Sequence, residues 1–349
     1  MGVSKSVGIK EIALMANVSV GTVDRVIHNR GRVSEATKEK IERLMVEHGY
    51  KHKKSTFKLF NIGILLPSPK TNPYWALPLQ GLKDRAKVLT DSSIKITENL
   101  FNYNSADDYL KKGEELLSEH VDGLIIHPLF RQETYQIIRK VRDLEIPFVF
   151  LDANLPELEP TYFVGQDAKS CGGLAGRLLS LGLRKDEDIW IINLSSNSGN
   201  STTFLREIGA VDTLKSFTDN LNQVKVLDIN PSSNDDEILS IFKQKIDSNK
   251  SPSRVYVTNS KIGRVYKIIQ KLDISDRIVM IGHDPLEENI KLLNSNKIDF
   301  LIAQDSKKQG ALVLDGIHDF LLFNKLDEKE KHICSNVYSK ENINSISSL

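Results

Sequence analysis

Four polar residues in the last two thirds of the chain each follow a short apolar run. They are His127 after GLII, Asp152 after FVFL, Asn259 after VYVT and Asp284 after VMIGH. Carboxylates accept hydrogen bonds, amides donate and accept them, and a neutral imidazole does one of each. In sheets of parallel strands, ligands bind beyond the carboxyl ends, where these residues would stand. The pattern predicts a site for a small molecule that is rich in hydroxyl groups.

The apolar runs themselves have the length of buried strands. From Phe60 onward they alternate with amphipathic stretches at residues 75–90, 105–119, 131–143, 168–182, 202–217 and 261–272. Short, continuously apolar strands separated by helices are typical of parallel sheets covered on both faces. We therefore predict an α/β body of doubly wound parallel sheets. We see no internal sequence repeat and no low-complexity segment in it, and we assign Trp190, within DIWIINLS, to its core.

The first fifty residues have a different pattern, which predicts an all-α head. Helices are expected at residues 9–15, 20–29 and 35–48, with Ser19 and Ser34 as caps and Gly49 as a stop. Two short helices that are joined by a tight turn and followed by a third make a helix-turn-helix. The second helix of such a unit lies in the major groove of DNA.

The charge of the chain is distributed unevenly. Residues 1–58 contain twelve Lys and Arg against six Asp and Glu, a net charge of +6, whereas the whole chain carries only +1. A basic head on a mildly acidic body indicates an anionic partner for the head alone. On charge alone, a solvated basic face without a partner is the alternative. Double-stranded DNA is anionic, so the charge and the helix pattern favour the same partner.

The second predicted helix carries small or short side chains on the face that would meet DNA. Ser19 and Thr22 could reach phosphates, Arg25 could bind guanine through two hydrogen bonds, and Gly21 would permit close approach. The DNA-binding residues that we expect on this helix and in the turn after it are Ser19, Val20, Gly21, Thr22, Asp24, Arg25, His28, Arg30 and Arg32.

The stretch from Ile9 to Tyr50, IKEIALMANVSVGTVDRVIHNRGRVSEATKEKIERLMVEHGY, resembles the DNA-binding domain of LacI/GalR-family transcriptional regulators. The base-reading positions of that family fall on Val20, Gly21 and Arg25. Val20 and Gly21 replace larger, often polar residues, so the operator contacts of other members do not transfer. The family's Pro-Asn-x-x-Ala-x-x-Leu hinge helix is missing from the basic linker at residues 51–59, KHKKSTFKL. We expect this linker to be a flexible tether that contacts phosphates.

From about Phe60 to Ile343 the body resembles the family's effector domain, which is similar to periplasmic sugar-binding proteins of the ribose and galactose type. The resemblance implies two lobes, at about 60–165 with 306–332 and at about 166–305 with 333–349. Departures are Ala153, where ribose-type binders often carry Arg, and His283, where an aromatic ring often sits. The resemblance, together with the polar residues at the strand ends, implies ligand-binding roles for Asn72, Tyr74, Trp75, His127, Asp152, Arg206, Asn259, Asp284 and Gln304.

A sugar offers vicinal hydroxyls to carboxylates, amides and Arg, and an apolar ring face to an aromatic side chain. Each residue also has a structural alternative: Tyr74 and Trp75 could be core, Asp152 and Asp284 could cap helices, and Gln304 could lie on the surface.

An enzyme is the competing class of protein, in the form of a helix-turn-helix fused to a sugar-modifying domain. The sequence contains no G-x-S-x-G, no G-x-x-x-x-G-K-[ST], no H-E-x-x-H and no metal-spaced Cys/His set. We therefore expect no catalytic residue, no bound metal and no cofactor. The stretch NSGNSTT before a helix could cradle a phosphate, but a capped loop is the simpler interpretation.

Length and composition agree with a multidomain regulator. A chain of 349 residues that is 40% hydrophobic and 27% charged suits two or three globular domains. It has neither a secretory signal nor about 18 consecutive apolar residues, so we expect a cytoplasmic protein without a membrane partner. Cys171 and Cys334 make no disulfide framework. We expect a homodimeric repressor whose affinity for an operator is controlled by a small sugar or polyol.

Overall fold

The computed structural model describes residues 7–27, 33–48, 50, 59–89, 94–194, 202–218, 223–246, 251–272, 274, 277–324, 326 and 328–345. The chain divides into two compact units, residues 1–58 and residues 59–349. We call them the head and the body. Residues 51–58 of the linker and the expected DNA contacts His28, Arg30 and Arg32 lie outside the described residues.

The head consists of three helices, α1 at Ile9–Ala16, α2 at Val20–Ile27 and α3 at Glu35–Glu47. α1 ends because Asn17 takes the left-handed conformation with φ of 57°, which Asn tolerates better than most residues. The side chain of Ser19 accepts a hydrogen bond of 3.1 Å from the backbone of Thr22 and so caps α2, as predicted. The buried apolar residues that join the three helices are Ile12, Ala13, Ala16, Val23, Val26 and Ile41.

The body contains two six-stranded sheets, which define two lobes. Lobe 1 has the strand order β11-β5-β4-β3-β1-β2, with every pairing parallel. Its strands are β1 at Phe60–Pro67, β2 at Ile94–Phe101, β3 at Gly123–Ile126, β4 at Phe148–Asp152, β5 at Tyr162–Gly165 and β11 at Glu330–His332. Lobe 2 has the order β12-β10-β9-β8-β6-β7, in which only β12 runs antiparallel. Its strands are β6 at Asp188–Leu194, β7 at Val224–Ile229, β8 at Pro252–Val257, β9 at Val279–His283, β10 at Phe300–Ala303 and β12 at Asn336–Tyr338.

Helices cover both faces of each sheet, since each lobe has one apolar core on either side of its strands. They are α4 at Ala76–Val88, α5 at Ala106–Leu117, α6 at Arg131–Asp143, α7 at Ala168–Ser180, α8 at Thr202–Leu214, α9 at Asp235–Lys245, α10 at Ile262–Ile269, α11 at Glu287–Asn294 and α12 at Ser306–Phe323. The predicted doubly wound architecture is therefore present. Trp190 is fully buried against Phe242, as expected of a core residue. None of the helices in these ranges is long and apolar enough to span a membrane.

The two lobes repeat one structural arrangement, although the sequence shows no internal repeat. In each lobe the fifth strand is followed by the same short motif, Gln166-Asp-Ala-Lys after β5 and Gln304-Asp-Ser-Lys after β10. The helix that follows this motif packs closely against another helix, α7 against α8 and α12 against α4. The match is confined to a few residues, which explains why the sequence alone did not reveal it.

Glycines hold these helix pairs together at matching places. A Cβ atom on Gly172 would lie 1.8 Å from the carbonyl oxygen of Arg206, and one on Gly310 would lie 2.0 Å from that of Pro78. Gly209 and Gly81 are equally tight against the other helix of each pair. Only glycine permits backbones to approach this closely, so the crossing points are set by the sequence.

The chain passes between the lobes three times in the described part of the body. The first crossing, residues 166–167, joins β5 to α7, and the second, residues 304–305, joins β10 to α12. The third, residues 333–335, joins β11 to β12. The chain changes from one sheet to the other at each of these three segments.

Candidate functional site

A cavity of about 120 Å³ lies at the carboxyl ends of the strands of both lobes, and its lining contains all nine residues of the predicted ligand set. These are Asn72, Tyr74, Trp75, His127, Asp152, Arg206, Asn259, Asp284 and Gln304. The further lining residues are Tyr103, Pro128, Leu129, Arg131, Ala153, Asn154, Leu155, Thr202, Thr203 and Ser260. The structure thus brings together residues that are up to 232 positions apart in the sequence (72 to 304).

The lobe 1 wall begins with a 3₁₀ turn at Pro73–Trp75, which is why α4 starts at residue 76 and not at the predicted 75. Asn72 caps this turn by accepting a hydrogen bond of 3.3 Å from the backbone of Tyr74. The Tyr74 hydroxyl donates to Oδ1 of Asp152 at 2.8 Å. Tyr74 and Trp75 also belong to the apolar core of lobe 1, so both the core and the pocket interpretations of these rings hold.

His127 packs its ring against that of Trp75, with 4.5 Å between the ring centroids. Its Nδ1 lies 3.1 Å from the carbonyl oxygen of Leu151, which can only accept, so Nδ1 carries the proton. Burial lowers the pKa of His127, although Asp152 opposes this effect. The imidazole is therefore neutral at pH 7, and its Nε2 is an acceptor.

The lobe 2 wall is organised around Arg206, which projects from α8 and is 3% exposed. Its Nη1 donates to the carbonyl oxygen of Thr258 at 2.9 Å. Its Nη2 donates to Oε1 of Gln166 at 3.0 Å and to Oε1 of Gln304 at 3.4 Å. The amide nitrogen of Gln304 in turn donates to Oδ1 of Asp284 at 3.1 Å. Gln304 is thus buried in the site and not on the surface.

Asn259 is anchored by two hydrogen bonds. Its Nδ2 donates to the carbonyl oxygen of Leu194 at 2.9 Å, and its Oδ1 accepts from the backbone of Lys261 at 3.0 Å. These contacts fix the amide at the edge of the pocket, where it lies on the loop between β8 and α10.

Asp152 and Asp284 occupy corresponding positions, at the end of the fourth strand of each lobe. Both have a left-handed backbone, with φ of 71° and 62°, a region that Asp enters more readily than most residues. Burial, reinforced by the charge of Asp152, raises the pKa of Asp284 to about 7. The pocket therefore contains one carboxyl group that titrates near neutral pH.

Tyr103 is a pocket residue that the sequence analysis missed. Burial and then the charge of Asp152 raise the pKa of Tyr103 to about 12, so its hydroxyl stays protonated. Tyr103 follows β2, whose sequence IKITENLF is interrupted by Lys95 and Glu98 and was not read as a strand. The rule that polar residues follow strands would have identified it once β2 was recognised.

The head presents the expected face of α2. Ser19, Val20, Gly21 and Arg25 are exposed, whereas Thr22 and Asp24 are half-buried. Burial and then the charge of Asp24 raise the pKa of Tyr50, so Asp24 lies near Tyr50, which follows α3 within the head. Asp24 is therefore less available for DNA than its neighbour Arg25.

No group of three or more His, Cys, Asp or Glu side chains within the described residues could hold a metal ion. Cys171 is buried and Cys334 is exposed, so only the first is part of the core.

Comparison with known families agrees with this arrangement. Residues 8–52 match the family model described as bacterial regulatory proteins, lacI family, and residues 62–324 match the model of the periplasmic binding protein domain. Through its body the chain belongs to the periplasmic binding protein domain family, and its head is a DNA-binding domain of the lacI type. The second match covers most of the 349 residues and includes the whole pocket.

Individual relatives are more distant. The chain is 29% identical over 178 residues to the ribose operon repressor of Lactococcus lactis, which covers 49% of the chain and 50% of that protein. It is 28% identical over 169 residues to the HTH-type transcriptional regulator MalR of Streptococcus pneumoniae, covering 44% and 48%. The chain thus spans about half the length of these curated relatives. The crystal structure of GanP, a glucose-galactose binding protein from Geobacillus stearothermophilus, has a TM-score of 0.70 at 21% identity and covers 82% of this chain and 99% of that one.

Proposed function

We propose that this protein is a sequence-specific DNA-binding transcriptional repressor, and that a small sugar or polyol bound between the two lobes controls its affinity for the operator. The observation that carries the proposal is the convergence of nine polar and aromatic residues on one cavity of the body, in a chain whose first residues match the lacI family model. The similar proteins, a ribose operon repressor and an HTH-type transcriptional regulator, support the same class.

The chemistry of the pocket favours a neutral ligand with several hydroxyl groups. Asp152 and Asp284 supply acceptors, Arg206 and Asn259 supply donors, and Trp75 supplies an aromatic surface. The cavity measures about 120 Å³, and a protein cavity of about 150 Å³ holds one benzene ring. The ligand class is therefore a single sugar or cyclitol ring and not an oligosaccharide.

The head supplies the DNA contact. Arg25 stands exposed on α2, at the position where a recognition helix reads base edges. One head buries too little surface for specific binding, so we propose a homodimer that places two heads on a two-fold operator. A protein bound to chromosomal DNA would act in the cytoplasm.

Thermodynamic linkage between sugar binding and operator binding gives the mechanism. If the sugar favours one angle between the lobes and the operator favours another, each ligand weakens the other by the same factor. Typical coupling of about 1–3 kcal/mol corresponds to a 5- to 150-fold change in affinity. Release of DNA on sugar binding is the repressor behaviour that we propose.

The test begins with a thermal-shift screen of D-ribose, D-glucose, D-galactose, myo-inositol and their phosphates. Calorimetry then compares the wild type with Asp284→Ala. The substitution leaves ligand hydroxyls without a hydrogen-bond acceptor in a buried site, so it should weaken binding by about 1–3 kcal/mol. Asp299→Ala is the matched control. Asp299 immediately precedes β10 and accepts a hydrogen bond from the backbone of Met280, at the end of the sheet that lies away from the pocket. Equal affinity in wild type and Asp284→Ala, or turnover of the sugar, would contradict the proposal.

A further inference from the structure

Each of the three crossings between the lobes carries one polar side chain of a single hydrogen-bonded network. Gln166 lies on the first crossing, Gln304 on the second and Ser335 on the third. Gln166 and Gln304 are 5% and 3% exposed. Because rotation of one lobe against the other must occur at these segments, contacts between them restrain that rotation.

The network runs without a break from the third crossing to the pocket. Gln166 donates from Nε2 to Oγ of Ser335 at 2.7 Å and accepts at Oε1 from Arg206 at 3.0 Å. Arg206 also donates to Gln304, and Gln304 donates to Asp284. Arg206 and Asp284 line the cavity, whereas Gln166 and Ser335 do not.

The chemistry of its partners fixes the orientation of the Gln166 amide. The guanidinium of Arg206 can only donate, so it requires the amide oxygen, and the amide nitrogen is left for the Ser335 hydroxyl. A flipped amide would place two donors against each other in a buried site. Gln166 therefore holds Arg206 in one position and is itself held from the third crossing.

We propose that Gln166 is a positioning residue for ligand binding: it fixes the Arg206 guanidinium in the pocket wall and ties it to the third crossing through Ser335. This inference rests on the proposed function, since it concerns the same pocket. A ligand held by Arg206 or Asp284 is thereby connected to all three crossings. Gln304 lines the pocket and lies on the second crossing itself, whereas Gln166 is the residue through which occupancy of the pocket restrains the first and third crossings.

The experiment compares Gln166→Ala, Gln166→Met, Ser335→Ala and Ser335→Thr by calorimetry, with D-ribose, D-galactose and myo-inositol as probes. Gln166→Met fills the same volume without hydrogen bonds, so it separates positioning from a packing defect. Loss of a buried partner predicts about tenfold weaker binding for both Gln166 variants. Ser335→Ala should also weaken binding. Ser335→Thr keeps the hydroxyl, so it should bind with the affinity of the wild type. The matched control is Gln223→Ala, because Gln223 is a buried glutamine at the start of β7 that does not line the pocket.

A double variant tests whether the two residues act as one unit. Gln166→Ala combined with Ser335→Ala should bind no more weakly than Gln166→Ala alone, since both changes break the same connection. Wild-type affinity in Gln166→Met, or fully additive losses in the double variant, would overturn the proposal.

A ligand-free crystal structure of Gln166→Met separates this inference from the proposed function. The inference predicts that the Arg206 guanidinium leaves its place against Thr258 and Gln304, and an unmoved guanidinium would refute it. If no probe binds the wild type, the proposed sugar class fails, while the position of the guanidinium still decides the role of Gln166.

Discussion

The raised pKa of Asp284 makes the stability of the ligand-free protein depend on pH in a way that Asp284→Asn should remove. Burial raises this pKa from 3.8 to about 7, so the folded protein keeps the proton up to pH 7, whereas the unfolded chain loses it near pH 4. Between these values unfolding releases a proton, and the stability that this carboxyl group contributes falls as the pH rises. Above pH 7 the buried charge costs the folded state about 4 kcal/mol, from about three pH units at 1.36 kcal/mol each.

Asn is a conservative replacement at this position. Its amide oxygen can still accept from Nε2 of Gln304, and Asn tolerates the left-handed φ of 62°. At pH 5 less than half of this cost is present, so the advantage of Asn should grow by about 2–3 kcal/mol between pH 5 and pH 8. For a body of this size that corresponds to about 5 °C in the midpoint of thermal unfolding.

The assay is differential scanning calorimetry of the wild type and Asp284→Asn at pH 5 and pH 8 without ligand. The quantity compared is the difference between the two midpoints at each pH, in which the titration of all other groups cancels. A difference that is the same at both pH values would show that Asp284 does not titrate between them, and would refute the reasoning.

Sugar affinity should fall about tenfold from pH 8 to pH 6 in the wild type, because only the ionised Asp284 accepts from two hydroxyls, and titration calorimetry should find no such change in Asp284→Asn. Tyr74→Phe keeps the ring but removes the hydroxyl that donates to Asp152, so calorimetry should show binding weakened by about 1 kcal/mol with little change in thermal midpoint; unchanged affinity would remove Tyr74 from the site. Arg25→Ala should cost about 1–3 kcal/mol on the operator and relax selectivity at one base pair in anisotropy titrations, whereas an equal loss on every sequence would show a phosphate contact only. Gly209→Ala would place a Cβ 1.9 Å from a carbonyl oxygen of α7 and should lower the thermal midpoint by several degrees, and a wild-type midpoint would contradict this packing.

Much of the architecture could be predicted because it depends on local patterns. The helical periodicity and the caps located the three helices of the head. Continuous apolar runs located three inner strands of each sheet, β1, β3 and β4 in lobe 1 and β6, β8 and β9 in lobe 2. The edge strands were harder, since β2 and β7 alternate polar and apolar residues and have one exposed side. Their absence from the prediction is the reason that Tyr103 was missed.

The pocket could be predicted as a set of residues but not as a network. Strand ends and the family resemblance named His127, Asp152, Arg206 and Asp284, and the structure brings them to one cavity. The resemblance said nothing of Gln166, which follows the four-residue strand β5 and contacts Arg206 without lining the cavity. The pKa of Asp284 near 7 likewise depends on burial by both lobes, which no local pattern expresses.

The central claim is that a sugar in the pocket changes the affinity of the head for its operator. The most direct measurement is an anisotropy titration of a fluorescent DNA duplex, selected from a random library by the purified protein, with and without a sugar that calorimetry shows to be bound. The account predicts that saturating sugar weakens DNA binding by at least about fivefold. It also predicts that Asp284→Ala, which binds the same DNA, loses this response. Identical DNA affinity with and without bound sugar would contradict the account.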